Sequence, residues 1–117
     1  MISLDYQSRV PIYEQIVDGI LKYVALGILK EDMQIPSIRE MASNLGINPN
    51  TVKKSYDILE SKGVINTIST KGTFISHNTK RATMDKIDKE ISIIRDKIDA
   101  LTKMGIGYDE IMDRIKR

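Results

Sequence analysis

Within the run Asn48-Pro49-Asn50-Thr51-Val52-Lys53-Lys54, amide, hydroxyl and ammonium groups crowd together just after a turn. These residue types are suited to recognition. Asn pairs with adenine, Thr bonds a base or a phosphate, and Lys reaches guanine or the backbone. The free N–H groups of a helix start add an attraction for phosphate. Bond-making chemistry finds less to use. His77 is the single histidine, there is no cysteine, and no glycine-rich phosphate loop is present. A metal site needs more ligands than one histidine anchors, and no carboxylate pair stands in an apolar context. The expectation is a binding protein, not an enzyme, with no metal and no cofactor.

The elements that position this run are legible from periodicity. Pro11 opens a first helix, in which Ile12, Ile16, Ile20 and Val24 recur every four residues until Gly27. The segment ILKEDMQIP reads as a loop with some extended character before Pro36. Ser37 and Glu40 form the S-x-x-E pattern of a capping box and begin a second helix, with Ile38, Met41, Ala42 and Leu45 on its buried side. After Gly46, Asn48 caps a third helix and Pro49 fits its first position. Val52, Tyr56 and Leu59 make the apolar stripe of that helix, and Gly63 ends it. Two helices joined by Gly46-Ile47-Asn48 have the spacing of a helix-turn-helix.

In that geometry the start of the third helix faces DNA bases. Val52 fixes the rotation and leaves Asn50, Thr51, Lys53 and Lys54 outward as candidate contacts. Asn48 reads as a cap alone. Ser37 and Arg39, at the start of the second helix, are candidates for the DNA backbone; an intrahelical ion pair is the other reading of Arg39.

Past Gly63 the period becomes two. Val64 to Ile68 and Thr73 to Ile75 read as strands around a tip at Ser69-Thr70-Lys71-Gly72. This hairpin makes the helix-turn-helix a winged one. Lys71, Gly72 and Thr73 are the candidate wing contacts, with Gly72 permitting close approach to a sugar-phosphate strand; an ordinary hairpin turn fits the same composition. The polar HNTKRAT reads as a linker. Then Met84, Ile87, Ile91, Ile94, Ile98 and Leu101 follow at spacings of 3-4-3-4-3, a heptad seam. Met104 to Gly107 turns the chain into a last short helix carrying Tyr108, Ile111, Met112 and Ile115. The seam, with Ile111 and Ile115, is the candidate dimer surface; packing back on its own domain is the alternative.

A chain of 117 residues suits one small domain with an appendage. The division expected is a DNA-binding domain over 1–77 and a helical tail over 78–117. The fold class expected is mainly α with a small β-hairpin, an N-terminal winged helix-turn-helix followed by a short two-helix dimerisation tail. Net charge is only +2, yet Met41–Tyr56 and Ser61–Met84 contain no acid while holding Lys53, Lys54, Lys62, Lys71, Lys80 and Arg81. Such windows keep a face attractive to an anion, though chance clustering yields them too. Without cysteine, a signal peptide or an apolar run long enough to span a bilayer, the expected compartment is the cytoplasm.

Three blocks, VPIYEQIVDGI, IPSIREMASNLGINPNTVKKSYDILESKGVI and KGTFI, together resemble the DNA-binding domain of the GntR family of bacterial transcription regulators. The short tail and the Asn-Pro-Asn-Thr-Val helix start resemble the YtrA subfamily. The resemblance implies a homodimeric repressor on double-stranded DNA with a palindromic operator. Arg39, Asn50, Thr51, Lys53 and Lys54 match family DNA contacts, and Lys71 and Gly72 match the minor-groove wing. Such regulators often sit beside genes for ABC transporters. Pro49 replaces a common arginine, Thr67, Ile68 and Thr70 stand where arginines and a glycine are usual, and KEDMQIP lacks the usual Pro-Gly. Weaker or differently aimed contacts, and strong dependence on dimerisation, are therefore expected.

Two further readings are compatible with the residues. A winged helix also serves as a protein-interaction module, with the heptad helix recruiting a different chain. A small-molecule effector would have to sit between subunits or beside the tail, because about forty residues after the wing leave no room for a separate effector domain.

Overall fold

Apolar residues three and four apart wind the first segment into α1, Ile12–Ala25, burying Ile16, Val17, Ile20 and Leu21. The computed structural model describes residues 2–77 and 79–116, apart from the side chain of Ala82. Pro11 occupies the N-cap one residue earlier than the sequence suggests, where its carbonyl accepts from Glu14 and Gln15. Gln15 also ties down the segment before α1. Its side-chain oxygen accepts from the Asp5 N–H, and its amide donates to the carbonyls of Asp5 and Val10.

Two helices follow with only Gly46, Ile47 and Asn48 between them: α2, Ile38–Leu45, and α3, Pro49–Ser61. Ser37 caps α2 by accepting the Glu40 N–H at 3.1 Å. Asn48 caps α3 by accepting the Asn50 N–H at 2.8 Å, and Pro49 fills the position where a missing donor costs nothing. Gly46 stands at φ 66°, the left-handed step that lets so short a turn reverse direction. The helix-turn-helix is thus set by local chemistry on both sides of the turn.

The wing is larger than the expected hairpin. It is a three-stranded antiparallel sheet of β1, Gln34–Ile35, β2, Ile65–Ile68, and β3, Gly72–Ile75, in the order β1-β3-β2. Thr67 pairs with Thr73 across the hairpin, and Ile35 pairs with Thr73 on the other side. The loop before Pro36 therefore contributes a strand. Ile35 is drawn into the core, and β3, flanked on both sides, needs a second row of backbone partners. Two more bonds extend the row: Asp32 N–H donates to Ile75 O and Ile75 N–H to Met33 O, each at 2.8 Å.

One core joins these elements. Ile16 and Ile20 of α1, Met41 and Ala42 of α2, Val52, Tyr56 and Leu59 of α3, and Val64, Ile65 and Ile75 of the wing belong to a single buried cluster. α3 packs against both α1 and α2, so its rotation is held from two sides. Tyr56 adds a polar lock by donating its hydroxyl to Pro36 O at 2.7 Å.

By compactness the chain divides into two units, Met1–Thr83 and Met84–Arg117. The polar segment after the wing is the start of a helix, not a linker: α4 runs Thr79–Lys103. Asn78, also part of the expected linker, lies outside the described residues. Polarity misleads here because Thr79 and Thr83, one turn apart, are both buried, and the Thr83 hydroxyl donates to Thr79 O at 3.0 Å. In the second unit α4 continues, the chain turns at Met104 to Gly107, and α5 runs Tyr108–Ile115. No described helix is long and apolar enough to cross a membrane.

Candidate nucleic-acid interface

The outer face of α3 follows from its inner one. With Val52, Tyr56 and Leu59 turned into the core, Asn50, Lys53, Lys54, Asp57, Ile58 and Ser61 line a shallow concavity of about 400 Å³. Asn50 is exposed and Thr51 half-buried, with its N–H already accepted by Asn48 O. Asn48 acts as the cap expected of it.

The two lysines are held in different ways. Lys53 Nζ lies 2.8 Å from Asp57 Oδ2, one helical turn on, with both side chains 60% exposed. The hydrogen bond to Asp57, followed by its charge, holds the Lys53 ammonium above its ordinary pKa of 10.5. Lys54 Nζ stands 3.8 Å from the centroid of the Tyr13 ring, on α1. Asp57 was not singled out from the sequence, although its four-residue spacing from Lys53 is a readable signal. It lies just past the acid-free window, and one helical turn brings it back over that window. Tyr13 was missed as well, and no local pattern marks it, because only the packing of α1 on α3 brings it to Lys54.

On α2, Ser37 is half-buried and spends an oxygen lone pair on the cap, leaving its hydroxyl hydrogen to donate. Arg39 is exposed, and among the described residues no ion pair engages it. The intrahelical pair considered from the sequence is not formed.

At the wing, Lys71 is exposed and Gly72 has φ 121°. The space beside Gly72 is taken by this chain itself. A Cβ there would stand 2.6 Å from Gln34 Nε2, which donates to Lys71 O at 3.1 Å. The glycine thus admits the Gln34 side chain on the side where a Cβ would stand. Thr73 needs correction. It is only 5% exposed, because strand alternation from Gly72 turns it to the covered side of β3. Thr67, Ile68 and Thr70 are exposed, as are Asn66 and Ser69.

His77 is exposed, with Nδ1 3.4 Å from Asp32 Oδ2 and 3.8 Å from Glu31 Oε2. Among the described residues no cluster of His, Cys, Asp or Glu is arranged to hold a metal ion. Lys62, Lys80 and Arg81 are exposed.

The tail residues separate into two groups. Met84, Ile87, Ile91, Ile94 and Leu101 are between 38% and 56% exposed, and Ile98 is half-buried. Of the α5 pair, Ile115 is exposed while Ile111 is 2% exposed within the single chain. Ile111 is therefore already covered before any second chain arrives.

Residues 12–75 match the model of the family described as bacterial regulatory proteins, gntR family. The chain belongs to the GntR family. The YtrA likeness also holds along the whole length: the HTH-type transcriptional repressor YtrA of Bacillus subtilis (strain 168) is 38% identical over 120 residues, spanning 99% of this chain and 90% of that protein. A transcriptional regulator from Oenococcus oeni superposes with a TM-score of 0.78 at 36% identity, covering 98% of this chain and 96% of that one. The AraR DNA-binding domain in complex with operator ORE1 is 25% identical at a TM-score of 0.55, over 65% of this chain and 93% of that chain. GntR members are regulatory proteins, and the winged helix-turn-helix with C-terminal helices read from the sequence is the fold this chain shares with them.

Proposed function

We propose that this GntR member is a homodimeric transcriptional repressor of the cytoplasm that binds a palindromic operator and controls a transporter operon. Residues 1–77 serve as its DNA-binding domain and residues 78–117 as its dimerisation tail. The observation that carries the reading is the face of α3: its apolar side is spent in the core, and Asn50, Thr51, Lys53 and Lys54 remain at its outer N-terminal end. Laid into a major groove, these side chains reach base edges and phosphates. Ser37 and Arg39 meet the adjacent backbone, and Lys71 with the wing tip meets the minor groove. The operator complex of the AraR domain supports a duplex as partner, and the repressor YtrA supports the direction of control.

The exposed seam of α4 supports the dimer. A row of isoleucines left in water is costly, and a second copy covers it. Two-fold pairing also doubles the interface and matches half-sites on DNA.

The test is a fluorescence-anisotropy titration of the full chain against the duplex upstream of its own operon, at two salt concentrations, beside a shuffled duplex. The expected result is binding to the upstream duplex far tighter than to the shuffled one, weakening steeply with salt. Absence of binding to either duplex would overturn the reading in favour of a protein partner.

A further inference from the structure

We infer that Tyr13 is a positioning residue for DNA binding, holding Lys54 aimed while leaving its charge unspent. The inference rests on the reading of Lys54 as a DNA contact.

Two adjacent residues of α3 grip the same residue of α1. Lys54 Nζ sits 3.8 Å from the Tyr13 ring centroid. The next residue, Ser55, is fully buried, and its hydroxyl lies 2.9 Å from Tyr13 O and 3.1 Å from Thr51 O. A bond from the Ser55 side chain to the Tyr13 backbone thus anchors α1 against α3 at the residue that carries the ring, and the ring stands against the ammonium. A lysine with four rotatable bonds otherwise loses much side-chain freedom on reaching a phosphate. Here part of that ordering exists before DNA arrives.

The ring is a suitable holder because it is neutral. A phosphate oxygen approaching Lys54 faces an ammonium that keeps its full charge and has N–H donors pointing away from the ring. Lys53 differs. Its partner is the Asp57 carboxylate, which offsets part of its attraction for an anion and competes with phosphate for the same donors. Of the two lysines that the sequence makes look equivalent, Lys54 is the one prepared for an anion.

The test uses the full chain and a mixed-sequence duplex, since phosphate contacts are independent of sequence. Tyr13→Leu is expected to weaken binding about two- to fivefold, the size of a cation–π contribution. Tyr13→Phe, which keeps the ring, should bind as wild type. In a Lys54→Met background the Tyr13→Leu effect should vanish, whereas a merely structural role for Tyr13 would persist. Should Tyr13→Leu fail to fold, progressively fluorinated phenylalanines at position 13 keep the shape and drain the ring face of negative charge, and affinity should fall stepwise along that series. If Lys54→Met weakens binding but the Tyr13 variants all match wild type, the positioning inference is wrong and the contact survives. If Lys54→Met binds as wild type, with an unchanged salt slope, contact and inference fall together.

Discussion

The first unit and the tail solve the same problem in opposite ways. Both carry isoleucine-rich helices among charged residues. In the first unit α1, α2, α3 and the wing bury Ile16, Ile20, Ile65 and Ile75 in one shared core. In the tail the helix α4 keeps Ile87, Ile91 and Ile94 in contact with water. The difference teaches that hydrophobic period announces a buried face without saying which chain buries it. A core that closes on itself has stability independent of concentration, whereas a seam closed by a second copy is stabilised by mass action.

Breaking that contrast should have its largest effect at the seam centre. In the proposed dimer, Ile94→Asp would place a carboxylate on each side of a two-fold interface, where an isolated charge costs several kcal/mol. Sedimentation is expected to show monomers, with operator affinity lower by orders of magnitude and circular dichroism little changed. A dimer intact in this variant would mean that the seam is covered otherwise. The counterpart in the closed core is Leu59→Ala, expected to cost about 2–5 kcal/mol of stability at every protein concentration. Ile91→Ala, by contrast, should lower the melting temperature only in a concentration-dependent way. Identical concentration dependence in the two variants would erase the distinction between the units.

A smaller effect sharpens the description of the core. Burial, with the Glu40 charge as a lesser contribution, pushes the Tyr56 hydroxyl well above its ordinary pKa of 10.0. The unfolded chain releases that proton near the ordinary value while the folded chain keeps it. The contribution of neutral Tyr56 is therefore complete below pH 10 and is lost as pH rises beyond it, at up to about 1.4 kcal/mol per pH unit. Tyr56→Phe leaves Pro36 O without its donor and should cost about 1–3 kcal/mol at neutral pH. It should also flatten the alkaline limb of a stability profile measured by urea unfolding. An unchanged alkaline slope would remove Tyr56 as its source. The smallest expected effect is on the surface. Arg39→Ala should leave stability as it was and reduce the slope of log affinity against log salt by about one unit. Operator binding with the wild-type slope would take Arg39 off the interface.

Much of the DNA-facing half was legible because its signals are local. Ser37 and Asn48 cap the helices they were expected to cap, Gly46 makes the turn, and Val52, Tyr56 and Leu59 point inward as their spacing demands. Each of these depends on neighbours within one or two turns. Other features were invisible for the opposite reason. β1 is too short to carry a periodic signal and exists because β3 needs a second partner. The helical start of α4 hid behind polar residues, since two threonines bury as readily as they solvate when they stand one turn apart. Thr73 and Gly72 both lie on β3, where strand alternation covers Thr73 and the Gln34 side chain fills the place of a Cβ at Gly72.

The sequence by itself determined the helix-turn-helix, the hairpin of the wing, the heptad seam and the family, because caps, turn glycines and apolar period act over short distances along the chain. Only the tertiary structure decided which group stands beside Lys54. Asp57 reaches Lys53 along one helix, but the ring beside Lys54 comes from α1, forty-one positions earlier in the chain. No pattern within α3 specifies that encounter. It follows from the angle at which two buried faces pack, which is set by the shape of the whole core.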